Sequence, residues 1–434
     1  MPLGGAEPLT GYDWRGLLTE ARERTLALVA SVREADMDQV HDPLMSPLVW
    51  DLGHIAAFED LWLAQRAGGQ APLRENLWEV YDASESPRSD RGNLPYLRTV
   101  EVKEFMAAVR GRSLDALESA GRSGGFLGGS GGVWDMLLQH EHQHNETMLQ
   151  TLQIAAPGVF VPDRRPLPPA PAGSVSGRTV RVPAGPFLMG AKDGGFAYDN
   201  ERPFHEVDVP AFDIDLVPVT CGAYREFVED GGYTRRDWWS EAGWAWREEN
   251  AIERPNYWTA DGSVRSFERT EPMDPSCPVT NVSWHEADAY ARSRGVRLPT
   301  EPEWEKAAAW DPAAGGAHRY PWGDEPPAEQ HANLDHLGFG PAAAGAYPAG
   351  ASPCGALGML GDCWEWTAST FTGYPGFTAF PYREYSEVFF GSDYRVLRGG
   401  SWATRPHVIR NTFRNWDLPE RRQIFSGFRC ARDA

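Results

Sequence analysis

Residues 139–146 read QHEHQHNE, and within that run His140 and His144 stand four positions apart. On an α-helix this spacing puts both imidazoles on one face about one turn apart, so both can reach one ion. His142 falls about 200° round the helix from His140 and is expected to point away, solvated or packed. In a helical bundle a third ligand can come from a facing helix. His54, in WDLGHIAAFE (50–59), is the candidate, because the other N-terminal histidine outside the run, His41, falls in a loop. Three neutral imidazoles suit Zn²⁺, Fe²⁺ or Cu²⁺ about equally by donor softness, so these residues alone leave the metal open.

The same run also fits H-E-x-x-H, the zinc-peptidase pattern, with Glu141 as general base. The extended form of that pattern fails, because Thr147 and Gln150 stand where Gly and a further His belong. A third histidine upstream of the motif is also unusual for that class.

The elements that must hold these residues are helical. Stretches 17–32, 48–67, 102–117 and 133–154 carry apolar residues at i, i+3 and i+4, which predicts a four-helix bundle over 1–156. Ser46 is expected to cap the second helix, with Pro47 at its first position, where no N–H is needed. A proline-rich stretch, PGVFVPDRRPLPPAPAG (157–173), suits neither helix nor inner strand and marks a linker over 157–177. Beyond it, 178–434 shows short β-type runs such as 179–182 and 206–209, Gly/Pro/Trp-rich turns, and two convincing helices near 221–229 and 285–294. The fold class is therefore α+β multidomain, a bundle followed by an irregular α+β domain.

Composition narrows the function classes. At 434 residues the chain has room for two domains, and a net charge of −20 argues against nucleic acid or an anionic membrane as partner. No long apolar run and no signal-like start at 1–11 make the cytoplasm the default compartment. Five cysteines without a C-x-x-C pair suggest reduced thiols, neither a disulfide framework nor a thiolate zinc site. No protein partner is evident.

A resemblance then enters on specific residues. PVTNVSWHEADAYARSRGVRLPTEPEWEKAA (278–308), YPWGD (320–324), GMLGDCWEWT (358–367), LRGGSW (397–402) and GFRCAR (427–432) together resemble the formylglycine-generating-enzyme fold, an irregular C-type-lectin-like domain. That family's redox cysteines, just after GGSW, are missing, since 403–428 contains no Cys. The fold therefore does not carry its original activity. An N-terminal DinB-like bundle with H-x-x-x-H and an upstream His, fused to such a domain, is similar to the ergothioneine-biosynthesis sulfoxide synthases.

The resemblance implies Fe(II) held by His54, His140 and His144, with O₂, γ-glutamylcysteine and Nα-trimethylhistidine as substrates and a C–S bond formed as a sulfoxide. It implies that the second domain completes the active site. Arg88 and Arg91 in SPRSDRGNLPY (86–96), with Asp417 and Arg421 in RNWDLPERRQ (414–423), match thiol-donor positions. Arg suits the two carboxylates of that dipeptide and Asp417 its ammonium. Gln143, Asn415 and Trp416 match positions around trimethylhistidine, whose quaternary ammonium favours an aromatic face. A catalytic tyrosine is implied within GYPGFTAFPYREYSEVFFG (373–391), and Tyr382 is preferred over Tyr374 and Tyr385. An ovothiol-type synthase using cysteine and histidine is the alternative within the superfamily, and a zinc-dependent thiol transferase the alternative outside it.

Overall fold

The computed structural model describes residues 13–120, 132–173, 175–192 and 194–434. Residues 1–12, on which the absence of an export signal was argued, lie outside them. The chain divides into two compact units, residues 1–161 with 193–196, and residues 162–192 with 197–434.

In the first unit Asp13 opens helix α1 (Trp14–Leu28), its carboxylate accepting from Gly16 N–H, one of the amides that a helix start leaves unpaired. Trp14, Leu18, Ala21, Thr25 and Leu28 form its buried stripe at three-and-four spacing. Helix α2 (Leu48–Glu59) is buried on every side, as a central helix must be. It packs against α3 (Thr99–Ala120) and α4 (Gly132–Ile154), and α1 packs on α4. Past Glu59 the helix widens into a π-helical stretch, Asp60–Ala67. There the carboxylate of Asp60 gathers Gln65, Leu73 N–H and Arg112.

Ser46 does not cap α2. Pro47 itself flanks the helix, without a side-chain cap, and the Ser46 hydroxyl accepts from Arg91 Nη1 at 2.9 Å. A buried guanidinium deprived of water claims the nearest acceptor.

In the second unit the proline-rich chain from Pro162 is fastened by its polar groups. Arg164 pairs with Glu268 at 2.6 Å, and Arg165 N–H donates to Leu337 O. Strands β1 (Thr179–Val182), β4 (Phe212–Asp215) and β9 (Ala431–Asp433) form a sheet in the order β1-β4-β9, beside a hairpin of β2 (Gly185–Met189) and β3 (His205–Val209). A second sheet runs β7-β6-β5-β8, from β5 (Trp364–Thr370), β6 (Arg395–Arg398), β7 (Arg414–Asp417) and β8 (Ser426–Gly427). Phe187, Phe212, Ile214, Trp304, Met359 and Ile409 are core residues of this unit.

Helices α5 (Cys221–Glu229) and α7 (Trp284–Ser293) fall where the apolar spacing puts them. Two further helices, α6 (Glu241–Glu249) and α8 (Glu301–Ala309), correct the expectation of only two. Pro299 and Pro302, a residue type that breaks helix interiors, stand at the start of α8. Yet Pro302 lies in the first turn, where its missing N–H costs nothing, and Thr300 and Glu303 cap each other reciprocally. The five cysteines are free thiols, with Cys221, Cys363 and Cys430 buried. Among the described residues no helix is long and apolar enough to cross a membrane.

Candidate metal centre

Helix α2 presents His54, and α4 presents His140 and His144 one turn apart. Their ring centroids lie 5.0, 4.5 and 4.6 Å from one another, and one ligand nitrogen from each falls within 4.8 Å of the other two. Packing holds the rings in place: Trp50 stacks on His54 at 5.1 Å and Phe58 on His140 at 3.9 Å. His142 is buried away from this cluster, and His41 bonds the Asp36 carbonyl in its loop.

Outer partners set which nitrogen of each ring is available. The Tyr81 carbonyl can only accept, so His54 Nδ1, 2.6 Å away, carries the proton and Nε2 keeps its lone pair. Asp51 Oδ1, 3.2 Å from His144 Nδ1, selects Nε2 of that ring in the same way. Burial, followed by the neighbouring His144, lowers the pKa of both His54 and His140, with the Tyr81 bond opposing at His54. Both rings are therefore neutral imidazoles. Two nitrogens about 2.1 Å from one ion lie roughly 3.0–3.4 Å apart at ordinary coordination angles. The Nε2 atoms of His54 and His140 are 3.1 Å apart. The residues present therefore fit a bound divalent metal.

Glu141 is not a free base beside these ligands. Its carboxylate accepts from Arg22 Nε, Arg110 Nη2 and Thr25 Oγ1 at 2.7–2.9 Å. Burial alone would raise its pKa, but the two guanidiniums outweigh burial and hold it below the usual range. The peptidase role is therefore closed to it.

The proposed substrate residues are distributed over both units. In the first, Arg88 is exposed and reaches the Leu44 carbonyl at 3.3 Å, and Gln143 is half-buried on α4 beside His144. Arg91 is buried, bonds Ser86 O, Ala83 O and Ser46 Oγ, and lies 4.0 Å over the Trp50 ring that stacks on His54. Burial, then the charge of Arg88, lowers its pKa to about 10. No carboxylate among the described residues forms an ion pair with it.

In the second unit Asn415, Trp416 and Asp417 lie on β7, opposite Leu397, Val396 and Arg395. Trp416 stacks on Phe371 at 4.1 Å and meets Tyr385 edge-on at 5.9 Å. Tyr382 is half-buried and meets the other side of this group through Tyr385, at 6.2 Å. Asp417 lies 3.6 Å from Arg421. Tyr374 stands apart, buried beneath Arg414 and 4.7 Å from His205.

Comparison with known proteins agrees with this division. Residues 17–148 match the DinB superfamily, and residues 165–434 match the sulfatase-modifying factor enzyme 1-like domain. A hercynine oxygenase of Mycolicibacterium thermoresistibile is 48% identical over 96% of this chain and 94% of its own length. One from Mycobacterium tuberculosis is 48% identical over 96% and 97%. The chain belongs to the hercynine oxygenase family. An inactive formylglycine-generating enzyme 2 from mouse is 34% identical over 59% of this chain and 85% of that protein. This likeness reflects the second domain of the oxygenase.

Several residues that keep the histidine-bearing helices in register carry no obvious mark in the sequence. Asp51, Tyr81 and Phe58 orient the histidines from 27 to 93 positions away in the chain. Gly53 is the residue for which a signal existed, as a glycine inside a helical pattern. A methyl there would lie 2.2 Å from Tyr81 Cζ. Gly53→Ala must push aside the ring of Tyr81, the residue whose backbone carbonyl orients His54. Expected are about 1–3 kcal/mol of destabilisation and roughly 10–100-fold weaker metal binding. Thermal unfolding and Co²⁺ titration check this, and parent-like affinity would remove Tyr81 from the site.

Proposed function

We propose that the oxygenase is an Fe(II)- and O₂-dependent sulfoxide synthase that joins the sulfur of γ-glutamylcysteine to the imidazole carbon of Nα-trimethylhistidine (hercynine), as in ergothioneine biosynthesis. The observation that carries this reading is the cluster of three imidazoles, two of them held neutral by burial, with one ligand nitrogen of each within 4.8 Å of the other two. The 48% identity to hercynine oxygenases over 96% of the chain supports the imidazole substrate. In overall balance, thiol, imidazole C–H and O₂ give the sulfoxide and one water, with one oxygen atom placed on sulfur.

Bound iron(II) supplies the one-electron chemistry that lets O₂ react with a thiol. His54, His140 and His144 would hold it through one imidazole nitrogen each. Arg91 is a desolvated cation that forms no ion pair with a carboxylate among the described residues, and an anionic substrate group would complete it. With Arg88 and Arg421 it takes the carboxylates of the dipeptide, and Asp417 takes the ammonium. Trp416 offers a ring face to the trimethylammonium group, and Gln143 and Asn415 orient the imidazole through hydrogen bonds. Tyr382 holds a proton at Oη and delivers it so that coupling outruns simple oxidation of the thiol to sulfinate.

Anaerobic reconstitution with Fe²⁺, both substrates and then O₂ tests this, with oxygen uptake and product mass followed together. A sulfoxide adduct is expected, with γ-glutamylcysteine preferred over cysteine. No uptake with Fe²⁺, or full activity with Zn²⁺ alone, would overturn the reading in favour of a transferase. Tyr382→Phe should cut sulfoxide formation about 100-fold or more, with sulfinate in its place. An unchanged product ratio would remove Tyr382 from the mechanism.

A further inference from the structure

The stretch Tyr198–Glu201 drew no attention in the sequence, yet its one short turn (Asp199–Glu201) is a junction for the second unit's proposed substrate elements. Asp199 is 2% exposed. Its Oδ2 accepts from Phe380 N–H at 3.1 Å, and its Oδ1 accepts from the Ser386 hydroxyl. These two donors bracket residues 381–385, the arc that carries Tyr382. Tyr198 stacks on Tyr385 at 4.1 Å and 11°, which fastens the same arc a third time. On the other side of the turn, the Asn200 carbonyl accepts from Arg414 Nη1 at 2.6 Å. Arg414 is the first residue of β7, which continues into Asn415, Trp416 and Asp417. Glu201 in turn accepts from Arg410 and from Thr412 Oγ1 at 2.6 Å, just before that strand.

We propose that Asp199 is a positioning residue for Tyr382, clamping both ends of its arc so that the phenol keeps one place relative to β7. By this means Asp199 governs how the oxygenase divides between C–S coupling and plain thiol oxidation. The proposal rests on the role given to Tyr382 above. Its physical basis is the charge of the acceptor. Phe380 N–H donates to one oxygen and the Ser386 hydroxyl to the other, and a carboxylate accepts both as charge-assisted bonds. Asn at 199 would keep an acceptor for Phe380 N–H but replace the bond to Ser386 by a reversed, neutral one, so both anchors lose their charge-assisted strength. The arc runs along the surface: Phe380 is 40% exposed, and Arg383 and Glu384 are exposed. A displacement of about 1 Å in a positioned group can cost on the order of 100-fold in rate.

The test compares Asp199→Asn, Ser386→Ala and Tyr382→Phe in the iron-loaded full chain, reading the sulfoxide-to-sulfinate ratio, kcat and KM separately, and the Tm. Asp199→Asn should lower kcat for sulfoxide by roughly tenfold or more and raise the sulfinate share toward that of Tyr382→Phe. KM for both substrates should stay within about twofold, because β7 is held through Asn200 and Glu201. Ser386→Ala, which removes one anchor and keeps the carboxylate, should move the ratio the same way by less. In the Tyr382→Phe background Asp199→Asn should add nothing. If Tyr382→Phe shifts the ratio and neither Asp199→Asn nor Ser386→Ala does, the clamp is overturned while the tyrosine's role stands. If Tyr382→Phe leaves the ratio unchanged, both fall. A lowered Tm with an unchanged ratio would make Asp199 a stabilising residue only, which also overturns the proposal.

Discussion

The His140→Ala protein is expected to bind Fe²⁺ or Co²⁺ more than about 100-fold more weakly than the parent and to consume no O₂ with both substrates present. Loss of an outer partner alone typically costs about 10–100-fold in metal affinity, and loss of a ligand exceeds that. Of the three clustered histidines, His140 is the one whose replacement isolates this effect best. It is buried against Phe58 and neutral, so alanine removes a donor nitrogen without leaving a charge unpaired. The metal-free variant should therefore remain folded. Calorimetric titration with Co²⁺, alongside its d–d spectrum, measures the loss. Parent-like affinity and spectrum would place the metal elsewhere.

The second large effect lies one residue further along α4. Arg22, Glu59, Arg110 and Glu141 form a buried set of two cations and two anions that ties α1, the end of α2, α3 and α4 together. Their side chains are 3–9% exposed. Arg110→Ala leaves Glu59 and Glu141 with Arg22 alone, and removal of one partner from a buried set costs about 3–5 kcal/mol. Urea unfolding of the metal-free protein should show a loss of that size. Glu141→Gln should cost less, because the amide still offers an acceptor to one guanidinium. A loss below about 1 kcal/mol for Arg110→Ala would mean that apolar packing, not this network, sets the register of the ligand helices.

The network also shows why the H-E-x-x-H pattern misleads. The spacing of two histidines on one helix face follows from the helical period, a local property that any chain folded as a helix there must obey. What Glu141 does depends on Arg22, 119 positions away, and on Arg110, 31 positions away. Glutamate at that position can serve as a base or as an ion-pair partner, and only the neighbours across the bundle distinguish the two.

Much of the molecule was legible for the same local reason. Apolar residues recurring at three and four marked α1 to α4, and the pair His140 and His144 followed from period alone. His54 followed because a bundle offers few histidines. In the second unit the run of Gly, Pro and Trp motifs carried the fold through its resemblance to a known domain, although α8 escaped because its Pro302 looks like a break until Thr300 and Glu303 are seen to cap each other.

The interactions that orient and tune the site were not legible, because they join residues far apart in the chain. The Tyr81 carbonyl that sets the tautomer of His54 is a backbone group and leaves no trace in residue type. The burial of Arg91, which turns an ordinary surface residue type into a desolvated cation, depends on Trp50, Ser46 and two carbonyls converging on it. Asp199 reads as one acid among 61 Asp and Glu until the fold brings Phe380 and Ser386 to its two oxygens. Period and residue type fix which faces carry donors. Long-range packing fixes which donors meet, because burial removes water as a partner and forces each polar group onto whatever the fold has placed beside it.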